Sequence, residues 1–490
     1  MTDLILRPQW ADTPDTFRHS WEGQVNIDQF RWMVRKDCLE HLAMARDELN
    51  ADKVRAVGMY CDELRVVAGD PRAFREPERK GPRTNWQVVD YIIDELLDIG
   101  IKPMFTTSFM PTTFASGTAT TFTTKSNVTP PVDYHQWGKF VEDSVRHQIN
   151  RYGISEVRSW LFEVWNEPNL PNFWGSDKAG FWELWDHTYR AIKNVDADLI
   201  VGGPSTGRAE WVAEQVEHGR ANGTEPDYVI THIYNNDSES GALSPFAGPQ
   251  EDKINKSPFY AAGVIKGTRE LLDSMGYTKP IQWNEWGRSW FPSDAVRESA
   301  YEAAWVCMTM SEASQYGDEF GYWNLSDIYD QCGYGNETFH GNYGMLSLQG
   351  LRKPQYQAFR LLSRLGTQRV AVQGDGLATN HNAIATVDGR KQVLVYNLQK
   401  DPAEAEDAVN VRIALPQNAG TPEAWMIDVS NNNILTTWRG MGSPAYLTRD
   451  QRAQLQASNG LQRLDASAFS VTDGEFRCTV PTPSVLLVEL

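Results

Sequence analysis

Two short motifs carry the residue types of acid–base and nucleophilic chemistry: Trp165-Asn166-Glu167-Pro168 and Trp283-Asn284-Glu285. Each follows an apolar run, and Pro168 stops the first one because proline has no ladder N–H to give. Two carboxyl groups facing one cleft can hydrolyse a glycoside. One protonates the leaving oxygen while the other attacks the sugar, and retention of configuration needs a separation of about 5–5.5 Å. By count the two lie 285 − 167 = 118 residues apart, so only a fold can join them. Glu167 reads as the general acid/base and Glu285 as the nucleophile. Asn166 is an amide able to hydrogen-bond a sugar hydroxyl. Glu163 falls on the same face of an ideal strand as Glu167 but deeper, where a carboxylate is a paired structural group.

Three more residues close strands at the same end. His232 and Tyr234 alternate in Thr231-His-Ile-Tyr, so both face one way. A tyrosine can orient a nucleophile, and a histidine can bind a sugar hydroxyl; a hydrogen-bonded core pair is the competing reading. Trp323 ends the last strand and can form an aromatic floor. Neither HExxH nor a nucleotide-binding loop is present, so no metal and no organic cofactor is expected.

The elements that must position these groups alternate. Strand-like runs at 54–59, 101–105, 159–167, 197–202, 228–234, 281–285 and 320–325 are separated by amphipathic helical stretches. That pattern predicts an α/β fold, a (β/α)8 TIM barrel with substrate at the C-terminal ends of its strands. After about residue 365 the texture becomes short β-type runs with turn residues such as Asp388-Gly389, which predicts a C-terminal accessory β-sandwich. The expected boundaries are 15–360 for the catalytic barrel and 1–14 plus 361–490 for the sandwich.

The 490 residues include 46 basic and 64 acidic side chains, a formal charge of −18. Nucleic acid and anionic membranes reward the opposite sign, so neither is an expected partner. The five cysteines are scattered with no CxxC pair, no apolar run approaches a membrane span, and the first residues lack a signal-peptide pattern. A cytoplasmic enzyme acting on an oligosaccharide or small glycoside is expected, and a homo-oligomer is compatible with it.

At these motifs the sequence resembles glycoside hydrolase family 39, most closely its bacterial β-xylosidases. The matching segments include Asn85 to Ser116 with Ser108-Phe-Met-Pro111, Asn127-Val-Thr-Pro-Pro131, and Arg151 to Trp174. Val201-Gly-Gly-Pro204, Trp323 with Ser326-Asp327, Phe339-His-Gly341 and Lys353-Pro354 also match. The resemblance implies a clan A barrel with a sandwich and retaining catalysis by Glu167 and Glu285. It places Phe109, His232 and Tyr234 at active-site positions and adds Asp330 and Phe339 to the substrate-binding set. Departures stand where the family usually has other residues: Val57 for His, Trp286-Gly287 for aromatic-Asn, Asn324 for Thr, and Asp330-Gln331 for an acidic pair. The reaction is therefore better specified than the sugar. A β-xyloside leads, with an α-L-arabinoside, a uronic-acid glycoside or a non-catalytic carbohydrate-binding barrel as alternatives.

Overall fold

Apolar runs joined by amphipathic helices bury both faces of a strand only in a parallel sheet covered by helices. The computed structural model describes residues 2–69, 75, 82–237, 257–333, 335, 337–417 and 419–490. Its principal sheet has eight strands: β1 (Gln24–Gln29), β2 (Lys53–Val57), β3 (Lys102–Thr106), β4 (Leu161–Glu163), β5 (Ile200–Thr206), β6 (Tyr228–Tyr234), β7 (Ile281–Gly287) and β8 (Glu319–Tyr322). Neighbours pair in parallel and in chain order. The seam between β8 and β1 is held by Phe320 N–H on Ser20 O (2.8 Å) and by Leu325 N–H on Asn26 O (2.9 Å). The Asn26 amide adds bonds to the carbonyls of Gly321 (2.9 Å) and Tyr322 (3.1 Å). A β-carbon on Gly321 would run into the Gln24 amide, so glycine lets the two edges meet. The chain thus forms a (β/α)8 barrel.

Eight helices form the outer ring: α1 (Lys36–Leu49), α2 (Gln87–Asp98), α3 (Tyr134–Tyr152), α4 (Lys178–Val195), α5 (Val212–Asn222), α6 (Tyr260–Ser274), α7 (Ala300–Ala313) and α8 (Pro354–Leu362). Helix α7 is buried nearly all round. On one side Trp305 packs on Trp286, with ring centroids 5.6 Å apart. On the other, the Ser311 carbonyl accepts from Arg369 at 3.0 Å.

Arg369 belongs to a β-sandwich. One sheet runs in the order Val372–Asp375, Thr2–Pro8, Val409–Ala414, Glu475–Val480, Phe469–Thr472. The other runs Asp15–Thr16, Gln368–Val370, His381–Thr386, Gln392–Asn397, Ser484–Glu489, Glu423–Ile427. Two helices, Ile434–Gly440 and Arg449–Ser458, leave this sandwich and reach the barrel, where the Ala445 carbonyl accepts from Thr338 N–H at 3.0 Å.

Two sequence expectations need correction. The first barrel strand is Gln24–Gln29, so Val57 ends the second. Its amide-rich alternation, Gln24-Val-Asn-Ile-Asp-Gln, places polar side chains inside the barrel and hides the apolar run that marks the other strands. The strand expected over 159–167 stops at Glu163. Beyond it the backbone leaves extended geometry, with positive φ at Trp165 (65°) and Glu167 (46°).

Candidate active site

The site sits where β4, β6 and β7 end. Arg55, in the middle of β2, is its fixed cation and is fully buried. Its Nε donates to Glu163 Oε2 (2.9 Å) and its Nη1 to Glu285 Oε2 (2.9 Å). Its Nη2 donates to Asn166 Oδ1 (2.6 Å) and Glu163 Oε1 (3.1 Å). One guanidinium therefore ties together three strands. Glu163 also accepts from Thr106 Oγ1 and Asn284 Nδ2, each at 2.7 Å. With three donors its lone pairs are engaged, and the Arg55 charge beside it holds its carboxyl below the usual range despite burial. Glu163 is thus fully buried and held by Arg55, Thr106 and Asn284.

Glu167 and Glu285 differ from it. Each is buried but 8% exposed, whereas Glu163 is fully enclosed. Glu285 accepts from the Tyr234 hydroxyl at Oε1 (2.6 Å) and from Arg55 at Oε2. Burial raises its pKa, and His232, Arg55 and Tyr234 oppose that rise. Glu167 lies 3.0 Å from His232 Nδ1 and makes no direct contact with Arg55 among the described bonds. Burial pushes its carboxyl up to about 7. His232 is pushed down to about 4 by its own burial and is neutral at pH 7. One oxygen of Glu167, one of Glu285 and a His232 nitrogen lie within 4.8 Å of one another. A retaining glycosidase needs its two carboxyl groups this close together. The trio is also the one group of described residues spaced to ligate a metal ion. Arg55 already faces Glu285 there at 2.9 Å, and it is shared with Glu163.

The loop that carries Glu167 is strained and clamped. Its N–H donates to Ser205 O at 2.7 Å, and Ser205 has a positive φ of 57°. Asn169 grips Gly207 on both sides, accepting from its N–H (3.0 Å) and donating to its carbonyl (2.9 Å). Non-glycine residues in the left-handed region persist where surroundings over-determine them, often at functional sites.

The structure thus brings together Glu167, Glu285, Asn166, His232 and Tyr234. Trp323 joins them through an aromatic cluster with Tyr234, Tyr329 and Tyr343. The other three sit apart from this hydrogen-bonded group. Phe109 is fully buried, edge-on to Trp165 (5.4 Å) and Phe122 (5.8 Å). Asp330 lies with both oxygens 2.6 Å from Arg31 Nη2, beside Gln29 at the end of β1. Phe339 packs on Trp438 (5.2 Å) of the sandwich insertion. Arg55 escaped sequence reasoning, although an arginine inside Val54-Arg-Ala-Val57 is a visible signal: a buried charge in a strand must have partners. Tyr343, in Asn342-Tyr-Gly344, carries no comparable signal.

A parallel eight-stranded barrel with two buried, differently tuned carboxyls at the C-terminal ends of its strands is the architecture of an O-glycosyl hydrolase. The chain belongs to the glycosyl hydrolases family 39, whose model matches residues 7–472. It is 34% identical to a beta-xylosidase of Caldicellulosiruptor saccharolyticus over 476 residues, 96% of this chain and 95% of that protein. It is 30% identical to a beta-xylosidase of Geobacillus stearothermophilus, covering 89% of this chain and 85% of the other. Among solved structures it is similar to a monomeric beta-xylosidase from Caulobacter crescentus CB15, with a TM-score of 0.84, 27% identity, and coverage of 100% of this chain and 99% of that one.

Proposed function

We propose that this protein is a retaining exo-β-xylosidase that removes terminal xylosyl units by double displacement, with Glu285 as nucleophile and Glu167 as acid/base. The observation that carries the roles is the contrast in environment. Glu285 touches a permanent cation and a phenol, both of which favour its anion. Glu167 touches neither, and its proton is retained to about pH 7. With hydrogen on Nδ1, neutral His232 donates to Glu167 Oε1 and leaves Oε2 to carry the proton to the leaving oxygen. Attack by Glu285 then removes a negative charge beside Glu167, which lowers the acid's pKa so that it can activate water in the second step.

The names of the relatives support xylose as the sugar. Arg55, Arg31 and Arg208 already face the carboxylates of Glu163 and Glu285, of Asp330 and Glu63, and of Glu210. That pairing favours a neutral sugar over a uronic acid. No helix of the described residues is long and apolar enough to cross a membrane. The five cysteines are free thiols, which supports a reducing, cytoplasmic setting.

The test is a panel of nitrophenyl glycosides with NMR of the first product formed. β-Xyloside should be the best substrate and the first sugar released should be the β-anomer. A preference for another glycoside rejects the sugar, and an inverted first product rejects the double displacement.

A further inference from the structure

The loop after β7 presents two large aromatic side chains to solvent. Trp290 is 42% exposed and Phe291 41%, with ring centroids 4.5 Å apart. The backbone beneath them is firmly held. Buried Arg297 donates to the carbonyls of Ser289 (2.6 Å), Phe291 (2.7 Å) and Gly341 (2.6 Å), and its guanidinium lies 4.3 Å over the Tyr343 ring. Trp290 N–H donates to Asn236 Oδ1 at 3.0 Å, and the Tyr343 hydroxyl donates to the Trp290 carbonyl. Tyr343 packs in the cluster with Tyr234, whose hydroxyl bonds Glu285. A chain of contacts thus runs from the nucleophile through Tyr234 and Tyr343 to the exposed pair. Exposed apolar pairs on a braced loop beside a reaction site mark a binding surface.

We propose that Trp290 and Phe291 form the subsite for the leaving group, taking a neutral sugar ring. The proposal rests on the exo-acting reading above. If the terminal sugar binds between Glu167 and Glu285, the leaving group is the part of the substrate that extends toward the exposed residues linked to that pair through Tyr234 and Tyr343. A pyranose has a face of C–H bonds that packs on an aromatic ring, and neither Trp nor Phe offers a charge to recognise an ionic group. Asn236 follows β6, the strand of His232, and so ties the loop to the side where Glu167 protonates the leaving oxygen.

The experiment compares kcat/KM for xylobiose and methyl β-xyloside, which differ in the ring of the leaving group. It uses the wild type, Trp290→Ala, Phe291→Ala, and Tyr91→Ala as a control on the outer surface of α2, 45% exposed. Losing an aromatic contact should cut the xylobiose-to-methyl ratio about tenfold in Trp290→Ala. Phe291→Ala should lower it in the same direction, and Tyr91→Ala should keep the wild-type ratio. Transfer of the xylosyl group to added xylose should fall with the ratio, because the acceptor enters through the same subsite. Equal losses on both substrates, or no loss, overturn the subsite while leaving the β-xylosidase reading intact. A wild type that turns over neither substrate overturns that reading and the subsite with it.

Discussion

Gly207→Ala should damage acid catalysis while sparing the fold. Gly207 follows β5 and its φ lies outside the left-handed region, so alanine is acceptable to the backbone. The unfolded chain also loses freedom, worth about 0.4–1 kcal/mol of stability. The new β-carbon would lie 2.9 Å from Glu167 Oε1, against 3.4 Å for ordinary contact. Something must move by 3.4 − 2.9 = 0.5 Å. The backbone cannot retreat freely, because Asn169 holds the Gly207 N–H and carbonyl together. The carboxyl end of Glu167 is the softest neighbour, and moving it strains its contact with His232. Misplacement by about 1 Å costs on the order of a hundredfold, so half of that costs about tenfold. The loss should appear only where protonation matters. We expect kcat/KM to fall about tenfold for methyl or phenyl β-xyloside and little for the dinitrophenyl glycoside, at an unchanged or higher Tm. A uniform loss across leaving groups, or a drop in Tm, would refute the placement of the acid against this glycine.

Three further outcomes follow from the same geometry. Glu285→Ala should abolish turnover of every leaving group, whereas Glu167→Ala should cost poor leaving groups about 10²–10⁴-fold and good ones far less; a leaving-group series on both variants checks this. The kcat/KM of a poor leaving group should decline above pH about 7, as Glu167 loses its proton, and at low pH as Glu285 gains one; the alkaline limb should flatten with the dinitrophenyl glycoside. Tyr234→Phe removes a 2.6 Å donor that favours the Glu285 anion, so the acidic limb of kcat/KM should move to higher pH, read from the pH profile against wild type.

The barrel, and the two carboxyls that the fold brings together, were legible in the sequence because both leave local traces. A buried parallel strand is an apolar run; a lone carboxylate after one is usually a structural group, and it was the Trp-Asn-Glu-Pro-Asn motif within a repeating barrel pattern that singled out Glu167. Sequence pattern failed where the interior of the barrel is polar. β1 alternates amides and an acid with Val25 and Ile27 because its inward side chains bond across the seam, as Asn26 does. Arg55 was hidden for the same reason: its role exists only through Glu163, Asn166 and Glu285, which lie 108 to 230 residues away. The turn at Glu167 could not be read either. Strict alternation extrapolates a strand that the backbone abandons after Glu163, and the side chain reaches the pocket from a left-handed residue instead.

The departures from the β-xylosidase pattern separate once each has a place. Trp286 is fully buried, its ring packed among Trp305, Tyr322 and Phe359 under the helices rather than among the hydrogen-bonded carboxyls. Asn324 is wholly buried, its carbonyl accepting from Met345 N–H and its side-chain oxygen from Ser326 N–H, so it braces the turn that follows Trp323. Gly287 is different. A β-carbon there would stand 3.3 Å from the Tyr234 ring, so an asparagine would crowd the phenol that holds the nucleophile, whereas glycine leaves that flank open. Val57 lies two residues after Arg55, at the end of β2 opposite Gln29, and is sealed into the core. A histidine at that depth would need a buried partner, and an apolar wall discriminates among hydroxyls less sharply than a hydrogen-bonding one. The departures closest to the carboxyl pair are thus Gly287 and Val57, one beside Tyr234 and one on the strand of Arg55. Neither touches the carboxyl pair itself, so reaction and specificity can diverge within one scaffold.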